Sequence, residues 1–226
     1  MLIKISLHLR REIFLLGANM FTKPIIPLPD THAATLAQER QNNLTKPLGS
    51  LGVLETLSIQ LAAITANPFP NVDKKAVIIM AGDHGIASEG VSAYPSDVTK
   101  QMVANFLAGG AAINVLARLN KAKVVVVDIG VAQNLEPHPN LLQRKIAYGT
   151  KNMLKMPAMT GQEAEKAIQT GIDIVNAEID SGIKMVATGE MGIGNTTPSS
   201  AITAIYSGLP VREVTGRGTG IDETGL

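Results

Sequence analysis

Residues 188–200 read TGEMGIGNTTPSS, and the chemistry these residue types suit is the holding of an anion. Gly189, Gly192 and Gly194 lie close together, and glycine takes positive φ cheaply and lets a ligand approach the backbone. Asn195, Thr196 and Thr197 follow; their side chains cap helix N-termini, and Pro198 suits a first helical position. Unpaired amides and the positive end of a helix dipole would then face one loop, which is an anion cradle. The spacing is GxxGxG, so it is neither a Walker loop, which needs Gly-Lys-Ser/Thr, nor the dinucleotide fingerprint GxGxxG. A tight strand-to-helix turn would account for the glycines but not for three consecutive capping side chains. Glu190 carries the wrong charge for a phosphate and is expected to turn toward another part of the ligand.

The elements that must position this loop can be read on either side of it. Residues 183–187, IKMVA, form a short apolar run that predicts a buried strand, and residues 201–206 predict a helix packed on the sheet. Residues 74–81, KKAVIIMA, predict a first strand running into Gly82-Asp83-His84-Gly85, and residues 123–129, KVVVVDI, a second ending at Asp128. Asp83 and His84 at a strand end suggest contact with a ligand or a metal. His8, His32 and His138 are scattered, so no metal site is expected. Strands alternating with helices call for a parallel sheet covered on both faces, with ligands beyond the carboxyl ends of the strands. Asp83, Asp128, Glu190 and the glycine loop 216–220 fall at such ends and are expected to share one crevice.

The remaining segments are read by the same rules. Asp30 or Thr31 caps a helix to about Asn42, and Ser50 is expected to cap a second with an apolar stripe at Leu51, Leu54, Leu57, Leu61 and Ile64. A helix from about Tyr94 turns Val98, Met102, Val103, Phe106 and Leu107 inward until Gly109-Gly110 breaks it. Residues 131–159 read as irregular. Thr160 to Glu163 is a capping box opening a long helix whose expected inner face is Ala164, Ala167, Ile168, Gly171, Ile172, Val175 and Ile179. Residues 212–215 are a candidate fourth strand.

Composition narrows the classes further. Of 226 residues 45% are hydrophobic but 3% aromatic, with no Trp, so aliphatic side chains must fill the core. A formal net charge of +1 and no basic run with interleaved aromatics give no case for nucleic acid. The chain has no Cys, which excludes disulfides and thiolate metal sites and suits the cytoplasm. The apolar core of residues 1–20 is too short for a membrane span and carries Arg10, Arg11 and Glu12. Residues 1–22 therefore read as an extension, with Met20 as the expected start. The organisation expected is that extension, a helical region at 23–70 and an incomplete α/β nucleotide-binding domain at 71–226.

Several motifs together carry a resemblance. LTKPLGSLGVLETL, AGDHGIASEGVSAYP, ANFLAGGAAINVLAR, PAMT, GEMGIGNTTPSSA and VTGRGTGID resemble the nicotinate-nucleotide:dimethylbenzimidazole phosphoribosyltransferases of cobalamin synthesis, over about residues 30–226 and in the family's order. The resemblance implies a Rossmann-like α/β fold with a small helical N-terminal region. It also implies transfer of 5-phosphoribosyl from nicotinate mononucleotide to 5,6-dimethylbenzimidazole, giving α-ribazole phosphate and nicotinate. It implies no cofactor and a homodimer in the full-length family.

The family's pattern further implies that Gly192, Gly194, Asn195, Thr196 and Thr197 contact the phosphoribosyl part, and that Glu190 and Met191 lie beside the reacting sugar and bases. Tyr94 and Met102 match positions lining the base pocket, and Gly218 lies in the second glycine loop. Val53 stands where the family carries arginine. The family's general-base glutamate and a phosphate-contacting lysine lie beyond Leu226, so the chain reads as a fragment and is expected to be inactive alone. A non-catalytic nucleotide-binding fragment, or a relative using adenine or a phenol as the base, stays open. A dinucleotide-dependent oxidoreductase would need GxGxxG after the first strand, where this chain has GDHG.

Overall fold

A computed structural model describes residues 25–223; the expected extension at residues 1–22 lies outside them. The chain divides into two compact units, Thr22–Asp73 and a second that holds Lys74 onward.

The first unit is a helical pair, α1 (Thr31–Asn43) and α2 (Val53–Thr65). Asp30 caps α1, its Oδ1 accepting from the Ala33 amide at 2.8 Å. Ser50 does not cap α2. Gly52 holds that position at φ 54°, and Glu55 supplies the missing acceptor by reaching back to the Leu51 amide at 3.1 Å. The buried residues of α2 are Glu55 and Ala62, whereas Leu51, Leu54, Leu57 and Ile64 of the expected stripe are exposed. Periodicity finds an apolar face but does not say which face is covered. Gln41 reaches from α1 to the Ser58 hydroxyl at 2.8 Å.

The second unit is a four-stranded parallel sheet in the order β3-β2-β1-β4, built from β1 (Lys75–Gly82), β2 (Ala122–Gly130), β3 (Leu141–Gln143) and β4 (Met185–Met191). Alternate residues feed two cores. Val77, Ile79, Ala81 and Val126 meet Val103 and Phe106 of α3 (Asp97–Ala108) on one face. Ile78, Val125 and Val127 meet Ile174 of α5 (Gly161–Asp180) on the other. Such two-faced burial explains why β1 and β2 are apolar without alternation. Asp97–Leu119 is apolar enough by length and composition to cross a membrane. Gly109, left-handed at φ 77°, divides it into α3 and α4 (Ala112–Leu119), and both bury side chains in the protein.

Several expectations change. The strand expected at 183–187 runs over Met185–Met191 and is a half-exposed edge rather than a buried strand, so Gly189 and Glu190 belong to the strand and not to the loop. The fourth strand is β3, inside the stretch read as irregular; three residues are too few for a periodic signal. Residues Val211–Val214 form the short helix α7. The buried face of α5 is Ile174 and Glu178, with Val175 packed beside it, while Ile168 and Ile179 are exposed. Glu178 is taken inward by Lys123 at the start of β2, whose Nζ lies 2.7 Å from Oε1. The helix after the cradle, α6 (Thr196–Ser207), has no buried residue. Its apolar side chains therefore do not pack on the sheet as expected, and Tyr206 is 76% exposed.

Candidate functional site

Strands β1, β2 and β3 succeed one another in one direction, and β4 returns to the other side of β1. The order therefore reverses between β1 and β4, and open parallel sheets bind ligands beyond the carboxyl ends at such a reversal. The Gly82-Asp83-His84-Gly85 segment leaves β1 at this point and the Gly192-Ile193-Gly194-Asn195 turn leaves β4. Met80 pairs with Glu190 and Ala81 with Met191 in register.

The turn after β4 is tightly determined. A Cβ on Gly192 would lie 2.2 Å from the Gly82 carbonyl oxygen, so β1 itself demands glycine there. Gly194 is left-handed at φ 83°, and its Cβ would press on Ala87 at 3.3 Å. The Ile193 amide donates to Thr99 Oγ1 of α3 at 3.1 Å in a buried bond. Within the turn, the Asn195 amide donates to the Gly192 carbonyl at 3.0 Å and the Thr197 amide to the Gly194 carbonyl at 3.1 Å. The Gly194 and Thr196 amides are left without a partner among the described residues. The cradle thus offers two backbone donors at the start of α6 rather than the whole run of amides. Asn195 makes no side-chain cap bond and already has helical dihedrals (φ −54°, ψ −33°). Pro198 is the third helical residue, not the first, and its missing N–H still costs no intrahelical bond there.

Other segments close round this turn. Thr219 Oγ1 accepts from the Ala93 amide at 2.8 Å and meets Ser92 Oγ at 3.1 Å. Gly218 is left-handed, and a Cβ there would lie 2.9 Å from Thr196 Oγ1. The second glycine loop is thereby fixed between the 92–94 segment and the α6 N-terminus, with the exposed Tyr94 beside it. Met102 lies partly buried against the core on the α3 face, and Met191 packs against the same cluster.

Asp83 is buried; its Oδ2 accepts from the Ala132 amide at 2.8 Å, and its Oδ1 has no partner. Asp128 is committed elsewhere, paired with Lys145 at 2.9 Å and capping the Val131 amide at 2.9 Å. It shapes the 131–150 loop rather than the cradle.

Glu190 is open at the surface, yet partial loss of hydration raises its carboxyl above the ordinary value, opposed by a hydrogen bond from the Asn195 side chain. Its side chain thus lies beside Asn195 at the start of α6. Burial lowers the His84 imidazole below its ordinary value, with the Asp83 charge pulling the other way.

Sequence reasoning missed Thr99, Thr150 and Thr219, which fasten the loops. Thr99 had a signal, since it is a polar residue one turn from Val103 in an inward stripe. No group of three or more metal-ligating side chains occurs among the described residues. A cavity of about 380 Å³ in the helical unit, lined by Arg40, Gln41, Ser58 and Phe69, contains none of the expected site residues. The strand reversal is the better candidate because sheet topology, backbone donors and the expected residues coincide there.

A family profile described as Phosphoribosyltransferase matches residues 26–226. A nicotinate-nucleotide–dimethylbenzimidazole phosphoribosyltransferase of Chloroflexus aggregans is 59% identical over 197 residues, 87% of this chain and 56% of that protein. The protein of the same name from Geobacter sulfurreducens is 54% identical over the same shares. Among solved structures, CobT of Thermus thermophilus superposes with a TM-score of 0.83 at 47% identity, covering 86% of this chain and 58% of that one. The chain spans a little over half the length of the curated relatives it matches.

Proposed function

Because the chain belongs to the nicotinate-nucleotide–dimethylbenzimidazole phosphoribosyltransferase family, we propose that its strand-reversal site holds the phosphoribosyl group that such an enzyme transfers. In this reading nicotinate mononucleotide and a benzimidazole-type base are the substrates of the whole protein. A homodimer in the cytoplasm is its working form. The observation that carries the reading is the pair of unpartnered amides, Gly194 and Thr196, at the N-terminus of α6 and beside Glu190. Two donors and a helix dipole suit a phosphate.

The chemistry balances without a redox partner. The bond between the anomeric carbon and the pyridinium nitrogen breaks, and its electron pair returns to the ring to release nicotinate. The unprotonated ring nitrogen of the benzimidazole forms the new bond from the opposite face, so β becomes α, and the N–H proton of the other ring nitrogen passes to a base. By the family resemblance that base is a glutamate beyond Leu226. Glu190 then serves the sugar and the leaving base by position and charge. Asp83 contributes through the buried oxygen that lacks a partner.

Calorimetry on the purified protein tests the reading. Nicotinate mononucleotide should bind well above nicotinate, and inorganic phosphate should compete with the nucleotide. Each charge-assisted bond to phosphate contributes about 1.5–3 kcal/mol, so two amides separate the two ligands by at least about a hundredfold. Equal affinity for nucleotide and nicotinate would overturn it.

A further inference from the structure

His84 stands in the candidate site with no task assigned. We propose that His84 contacts the transferred phosphoribosyl group directly, its Nε2 hydrogen-bonding an oxygen of that group beside Gly192. This rests on the cradle as the phosphoribosyl site.

The backbone that carries His84 is fixed on both sides. The Asp83 amide donates to the Gly130 carbonyl at 2.9 Å, and the Thr150 amide donates to the Asp83 carbonyl at 3.0 Å. Gly85 donates to Thr150 Oγ1 at 3.2 Å, and a Cβ on Gly85 would strike the 150–152 backbone at 2.6 Å. The imidazole is therefore carried on a backbone held on both sides. It ends against the cradle: a Cβ on Gly192 would fall 2.9 Å from His84 Nε2 and 3.0 Å from Cδ2. The imidazole edge thus lies on the turn whose Gly194 and Thr196 amides lack partners.

The usual structural employment of such a histidine is missing. Neither ring nitrogen has a hydrogen-bond partner among the described residues. The adjacent Asp83 spends its Oδ2 on the Ala132 amide instead of on the ring. A partly buried polar ring aimed into a site, with both nitrogens unspent, suits a ligand better than packing. Burial favours the uncharged ring. A neutral imidazole donates through one nitrogen, which fits a ribose hydroxyl or a phosphate oxygen without ion pairing.

The test pairs two substitutions with a direct reading of the ring. His84→Phe keeps the bulk and removes the nitrogen; His84→Gln carries an amide to about the position of Nε2. Calorimetry should show His84→Phe weakening nicotinate mononucleotide binding about tenfold or more, with His84→Gln retaining most of it. In ¹⁵N spectra of the wild-type protein, the Nε2 signal absent from His84→Gln should shift when the nucleotide is added. Nicotinate riboside shifting it equally assigns the contact to ribose; inorganic phosphate shifting it assigns the contact to phosphate. Wild type that binds nucleotide with the His84 signal unmoved, or His84→Phe binding as wild type, overturns this inference alone. Wild type that binds no nucleotide overturns the reading of the cradle and this inference with it.

Discussion

At the scale of single residues, the cradle is a set of positions where backbone geometry excludes other side chains. Gly194→Val should strain the left-handed backbone and crowd Ala87 and Val91, moving the two unpartnered amides. The expected result is a loss of nicotinate mononucleotide affinity far larger than any loss for nicotinate, read by calorimetry; equal losses would remove phosphate from the cradle. Tyr94 stands exposed beside the Ser92–Thr219 contact, and a flat ring there suits a flat base. Tyr94→Ala should lower dimethylbenzimidazole affinity and leave nucleotide affinity nearly unchanged, whereas a nucleotide-only defect would put the base elsewhere. Part of this scale was legible: the glycines marked a turn that admits no Cβ at Gly192 and is left-handed at Gly194, whereas the expected side-chain cap from Asn195 is not formed. The division of labour among the amides was not legible, because it depends on which of them the turn and Thr99 consume.

At the scale of elements, two fastenings carry separate predictions. Thr99→Val would leave the buried Ile193 amide without its acceptor, at a cost of about 1–3 kcal/mol. Denaturant unfolding should show that loss, and nucleotide binding should weaken with it because α3 no longer anchors the turn. In the helical unit, Glu55 is held below its ordinary value of 4.5 first by the Lys46 ammonium and then by the Leu51 amide. A carboxyl with a lowered folded-state value stabilises the fold above its unfolded value and loses that contribution as pH falls through the folded one. Helical circular dichroism melts from about pH 5 to about pH 3 should show α2 loosening, and Glu55→Gln should flatten that dependence. Strand and helix identities were mostly readable because β1, β2 and α3 are long and strongly patterned. The faces of α2 and α5 were not, since each helix carries apolar residues on more than the covered side. The expected strand at 212–215 failed because four residues cannot tell a strand from a helical turn, and tertiary context decided.

At the scale of the whole molecule, the α/β class and the alternation of strands and helices followed from the sequence pattern, while the place of β4 at an edge required the pairing itself. The relatives extend well beyond the matched region, and the family's general base is expected there. General-base catalysis typically contributes about 10²–10⁴-fold, so residues 1–226 alone should give no measurable α-ribazole phosphate by chromatography. Addition of the C-terminal segment of a full-length relative should restore it; turnover by the chain alone would move the base inside it, with Glu190 first to be replaced. The pairing of β1 with β4 also sets a timetable. From the end of β1 at Gly82 to the start of β4 at Met185 is a span of 103 residues (185 − 82). At about 5–20 residues per second on the ribosome, the backbone edge of β1 that β4 pairs with waits roughly 5–20 s for its neighbour. Nascent chains stalled before Met185 clears the exit tunnel should therefore crosslink to holdase chaperones through the unpaired edge of β1, and chains released past Met191 should not.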